Sequence, residues 1–279
     1  MKLSLRLGVA AAVVTAGMGR AVQVAAQSVE YTSPAGVAYQ SLPDSGPVAR
    51  AESALAANPH NVKLIMQLGM AQVSFQQYRE AIETFSRGLK EDPDNVAFYR
   101  ERGHRHLSLR ELDQASDDLS HGFELDSTDY GVLYHLGIVR FARGDFDAAA
   151  DLFRRALPKA PNAGELAGST DWLWMSLCRA GRSAAAELML QQHPDSLPVT
   201  NAYATRLKLY RGQIGPDQVI TPADTEGVQV ATLSYGIGDW YLVRGDTTQA
   251  LPWFERATRT TGWPAFGFIM SEVELKRLK

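Results

Sequence analysis

Few residues in this chain have the type and spacing that chemistry requires. His104 and His106 form an H-x-H pair, which could seat zinc on a strand or loop. On a helix, residues two apart point to different faces and cannot share a metal, so surface or groove histidines are the better reading. His60, His121, His135 and His193 show no ligand spacing with any Cys or carboxylate. Cys178, the single cysteine, sits between Leu173, Leu177 and further helical sequence, the setting of an inert buried thiol. The tripeptides Arg143-Gly144-Asp145 and Arg244-Gly245-Asp246 spell an adhesion motif. At a turn between two helices, however, Gly supplies a left-handed C-cap and Asp the next N-cap. The Asp117-Asp118 pair reads as a solvated helix face. No nucleophile elbow, phosphate-cradling glycine loop or H-E-x-x-H motif occurs. No catalytic residue, metal ligand or cofactor is expected, and a hydrolase site in the irregular stretch 193–230 has no nucleophile–base pair to support it.

The elements that position side chains are far more legible. Gly69, Gly103 and Gly137 stand 34 residues apart, as do Ala81, Ala115 and Ala149, and Phe85, Leu119 and Phe153. Small residues recurring at that period mark helix–turn–helix units of the tetratricopeptide type, in which glycine lets two helices approach. Three full units follow in one register: 62–95, 96–129 and 130–163. Pro93 and Pro161 stop the second helix of the first and third units. Half a unit begins at Pro47, a degenerate one covers 171–192, and the pattern returns with Gly238 and Ala250. The spacing therefore predicts an all-α fold, an α-solenoid of tetratricopeptide helix-turn-helix repeats. Its divisions are residues 47–163 for the half repeat and three regular units, 164–230 for a degenerate and irregular part, and 231–279 for a last unit and capping helix. Residues 27–46 read as a surface lead-in.

Such solenoids present a concave face built from the first helix of each unit. Here that face is expected to carry Met66, Met70 and Val73, then Arg100, His104 and Leu107, then Tyr134, Ile138 and Phe141. Thioethers beside aromatic rings suit an apolar peptide or helix, with Arg100 and His104 as polar anchors. Met66 and Met70 stand where a clamp for a partner's terminal carboxylate would need polar residues, so that mode is disfavoured. The competing reading is a self-assembling structural protein whose groove is filled from within, by the lead-in (Tyr31, Val37, Tyr39) or by a later helix.

A formal net charge of −3 over 279 residues gives no basic stripe for nucleic acid. At the N-terminus Lys2 and Arg6 precede an apolar run ending near Gly17, with Val24 and Ala26 in the places of a signal-peptidase site. That predicts a signal peptide over 1–26, cleaved before Gln27, and an exported, soluble, periplasmic or secreted protein. The run is shorter than the roughly 20 residues a membrane span needs, and no lipobox cysteine follows it.

Further along, Leu209-Tyr210-Arg211-Gly212-Gln213-Ile214, Tyr241-Leu242 with Gly245-Asp246, and Phe266…Glu272-Val273-Glu274-Leu275 give the C-terminal half a resemblance to the periplasmic lipoprotein NlpI family. The resemblance implies an envelope adaptor, homodimeric, that brings cell-wall hydrolases to a protease. The missing lipobox cysteine departs from that family's pattern.

Overall fold

The structure is a computed structural model and describes residues 27–192 and 198–278. The expected signal peptide lies outside the described residues. The helices are α1 (Pro47–Ala57), α2 (Val62–Ser74), α3 (Tyr78–Glu91), α4 (Val96–Ser108), α5 (Leu112–Leu125), α6 (Tyr130–Arg143) and α7 (Phe146–Ala156), followed by α8 (Ala163–Arg179), α9 (Ser183–Gln192), α10 (Ala202–Tyr210), α11 (Gly227–Leu242), α12 (Thr247–Ala257) and α13 (Phe266–Arg277). Each packs on its neighbour in sequence through most of the chain, which makes an α-solenoid.

Helix starts follow from side-chain caps. Asn61, Asn95, Asp129, Asn162, Asn201 and Asp246 each accept a hydrogen bond from a backbone N–H of the first helical turn that would otherwise be unsatisfied. The repeat register explains the packing. An added Cβ on Gly69 would stand 2.1 Å from Phe85, and one on Gly137 2.8 Å from Phe153, so the α3 and α7 rings fill the space that glycine vacates. Leu119 fills the same place over Gly103 at 2.7 Å, and Phe254 over Gly238 at 2.5 Å. Ala81, Ala115, Ala149 and Ala250 are fully buried at the same helix pairs.

The surface lead-in forms a hairpin of β1 (Val29–Thr32) and β2 (Ala38–Gln40), antiparallel, with an irregularity between Val29 and Tyr31, and most of its residues are exposed. Glu30 lies at that irregularity and is fully buried. Its Oε2 accepts from the Tyr78 and Arg79 N–H groups at 3.0 and 3.1 Å. The hairpin thus caps α3, whose own N-cap residue Gln77 makes no side-chain cap. One expectation needs correction: Asp118 does not face solvent as Asp117 does, but is buried and takes a forked pair from Arg102, Nε to Oδ2 at 2.8 Å and Nη2 to Oδ1 at 2.5 Å. Within the stretch that breaks the period, the helix expected around Tyr203–Tyr210 is α10, whose Tyr210 ring stacks on Trp174 at 3.8 Å. Trp174 stands in α8 where the repeat pattern would place glycine, and α10 packs against it.

Among the described residues no helix is long and apolar enough to cross a membrane.

Candidate functional site: a groove closed by its own last helix

The first helices of the three regular repeats, α2, α4 and α6, carry the residues expected on the concave face. Their accessibility divides sharply. Met70 is 40% exposed, and Met66, Val73, Arg100 and His104 are half-buried. Leu107, Ile138 and Phe141 are fully buried, and Tyr134 is nearly so. Over its second half the face is therefore not open.

Tyr134 packs against Gly168 of α8, and α13, which packs on α11 and α12, also reaches across to α6. Phe266 at its start lies against His104 (5.3 Å between ring centroids), His135 (5.9 Å), Tyr134 (6.2 Å) and Trp172 (6.5 Å). Phe141 is further walled in by Phe146 and Trp172. Just before α13, Trp263 stacks on Tyr31 of the hairpin and lies beside Tyr39 and Tyr78. The two ends of the solenoid are thereby joined through one aromatic cluster.

Polar groups tie the same closure. Glu272 accepts from Arg110 Nε at 2.9 Å and from the Tyr31 hydroxyl at 2.8 Å. Glu274, almost fully buried, takes a forked pair from Arg179 at 3.0 and 3.1 Å and a third bond from Arg277 at 2.6 Å. Arg179 also donates to the buried Asp239 at 2.9 Å. Deeper still, Arg206 and Asp171 are both fully buried and pair at 3.0 Å. Burial pushes the Asp171 carboxyl up to about 7 against the pull of Arg206, and the Asp239 carboxyl up to about 6 against that of Arg179. Burial by itself would discourage the Arg206 charge, but Asp171 and the Tyr210 hydroxyl outweigh it and hold the guanidinium protonated.

The histidine pair resolves into separate roles. His104 stacks on His135 at 4.1 Å between centroids, while His106 Nδ1 lies 2.6 Å from Glu111 Oε2. Burial, with the charges of Arg105 and Arg100 adding to it, lowers His135 to about 3; burial also takes His104 well below its usual value. Among the described residues no group of three or more His, Cys, Asp or Glu side chains is arranged to hold a metal ion. Burial raises the half-buried Cys178 thiol to about 12, which keeps it protonated at neutral pH. Gly144 and Gly245 have φ of 84° and 80°, and Asp145 and Asp246 cap the helices that follow, so both adhesion-like tripeptides are turn chemistry.

Residue types alone do not reveal the closure. A signal was nevertheless present at the turns within the repeats. Position 144 is glycine, whereas the corresponding positions 76 and 110 carry Gln and Arg in the same left-handed backbone. Each such residue costs on the order of 1 kcal/mol relative to glycine.

Two tetratricopeptide repeat models match the chain, over residues 48–100 and 101–164. No curated protein matches it significantly. Among solved structures, a crystal structure of MamA is similar at 18% identity and a TM-score of 0.46, over 63% of this chain and 87% of that one. YrrB, described as a TPR protein with an unusual peptide-binding site, is similar at 14% identity and a TM-score of 0.48, over 82% of this chain and 99% of that one. With the 34-residue register and the glycine–ring contacts of α2 to α7, the two family models show that residues 48–164 are tetratricopeptide repeats.

Proposed function

We infer that the protein is a non-catalytic interaction scaffold whose repeats take a protein partner. The observation that supports this reading is the half of the concave face that α13 leaves uncovered. Met66, Met70 and Val73 line α2 there, and Arg100 stands beside them on α4 with about a third of its side chain exposed. Flexible thioethers next to a guanidinium suit an extended or helical segment with apolar side chains and an acidic group. The test is a photo-crosslinking residue at position 70, compared with one at the exposed Leu188 on α9. Partners should be captured from position 70 and lost with Arg100→Glu. Equal capture from position 188 would remove the groove from consideration.

The place of action is proposed from residues 1–26. An exported protein recovered from the cell envelope should begin at Gln27, and N-terminal sequencing reads this directly. The resemblance of the C-terminal half to the NlpI family supports an adaptor role between cell-wall hydrolases and a protease, as a homodimer. Light scattering at micromolar concentration checks the dimer, and a monomer mass would end that part of the reading.

A further inference from the structure

Positions 76, 110 and 144 stand 34 residues apart, each at the turn between the two helices of a repeat. The turn needs left-handed backbone. Gly144 supplies it at φ 84°, and Gly245 at φ 80° in the last repeat. Gln76 (φ 53°) and Arg110 (φ 64°) adopt it despite carrying a Cβ, the only non-glycine residues with positive φ among those described. Backbone strain of this kind persists where another demand outweighs it.

Both strained side chains hold the same C-terminal segment. Gln76 Oε1 accepts from the Trp263 indole at 3.0 Å. Arg110 Nε donates to Glu272 at 2.9 Å, and its guanidinium lies 3.8 Å over the Tyr31 ring. At the third turn the absent side chain makes the room. A Cβ on Gly144 would stand 3.3 Å from Arg277 Nη2, which donates to the Phe141 and Ala142 carbonyls at 3.2 and 2.6 Å. Three successive turns thus meet Trp263, Glu272 and Arg277 in the same order along both partners.

We propose that Trp263–Arg277 is a latch, seated in the groove in cis and held by this ladder of turns. When it lifts, the groove beneath takes a partner helix of the same chemistry, with an aromatic residue in its first turn and a Glu-x-Glu pair two turns later. The acids are required because lifting α13 takes Glu272 from Arg110 and Glu274 from Arg179, leaving Arg179 with Asp239 alone. The uncovered wall includes His104, Tyr134, His135 and Trp172, the rings on which Phe266 lies, and these fit the apolar side of such a helix. The partner-helix half of the proposal rests on the reading of this groove as a partner site; the latch does not.

Hydrogen exchange on the full chain tests the latch, using Arg110→Gly and, separately, Glu272→Gln. Arg110→Gly relieves the strained turn, so a folded protein is expected. Amides of 266–277 should exchange at least tenfold faster in both variants, while those of α3 to α7 keep their wild-type rates. Exchange that is unchanged, or that rises only together with the whole protein, overturns the latch. A labelled peptide of residues 262–278 is then titrated into the Glu272→Gln chain, which keeps every groove residue. It should bind at least tenfold more tightly than the same peptide carrying Glu272→Gln and Glu274→Gln. Faster local exchange with equal binding of the two peptides, or binding of neither, overturns the partner helix and leaves the latch standing.

Discussion

At the scale of single residues, the repeat glycines are defined by what occupies their missing side chain. A helix-interior glycine replaced by alanine ordinarily gains about 1 kcal/mol. At Gly69 the sign should reverse, because the new methyl would stand 2.1 Å from a Phe85 ring that is itself fully buried. Gly69→Ala is expected to lose about 1–3 kcal/mol, read from urea unfolding. An unchanged or raised midpoint would show that Phe85 can move aside. Asp171 makes a harsher case. Asp171→Asn leaves the Arg206 guanidinium fully buried without its carboxylate, an expected loss of about 3–5 kcal/mol. Arg206→Met with Asp171→Leu, which removes both charges, should recover most of it. A double variant no more stable than the single one would mean that the pair is worth more than its burial. The period of these positions was legible in the sequence, since glycine, alanine and ring recur at fixed spacing. The Asp171–Arg206 pair was not, because the two lie 35 residues apart and nothing local marks either as a buried charge.

At the scale of elements, α4 and α6 meet through the stacked rings of His104 and His135, under Phe266 of α13. Burial depresses His135 to about 3, so below about pH 6.5 the unfolded chain takes up a proton that the folded chain refuses. Its contribution is present in full above that pH and is lost as pH falls toward 3. Asp171 and Asp239, raised by burial to about 7 and about 6, act with the opposite sign and favour the folded state as pH falls from 7 toward 4. His135→Gln removes one side of this balance. Relative to wild type, the variant should gain up to about 1.4 kcal/mol for each pH unit below 6.5, measured by unfolding at pH 7, 6 and 5. A difference that does not change with pH would mean that His135 is protonated in the folded protein. The helices themselves, their caps and their order were readable from periodicity. Which faces of α4, α6 and α13 would meet was not.

At the scale of the whole molecule, the ends of the solenoid are joined. The β1–β2 hairpin caps α3 through Glu30 and stacks Tyr31 and Tyr39 on Trp263. Removing residues 27–42 withdraws that cap and the cover of two half-buried tyrosines, for an expected loss of about 3 kcal/mol. Thermal unfolding gives the magnitude, and near-UV dichroism should report the loosened Trp263. A truncated chain with an unchanged midpoint would show that the hairpin merely lies on the surface.

The amino-acid sequence by itself determined the repeat: its period, the glycine, alanine and aromatic positions that make two helices touch, and the caps and prolines that begin and end them. These are contacts within about 34 residues, and each is written in the residues that make it. Only the tertiary structure decided whether the concave face stands open. Curvature accumulates from a small rotation at every repeat, and no local window contains that sum. It brings Trp263 to Gln76 and Glu272 to Arg110, residues 187 and 162 positions apart, and so sets the chain's last helix against part of the concave face.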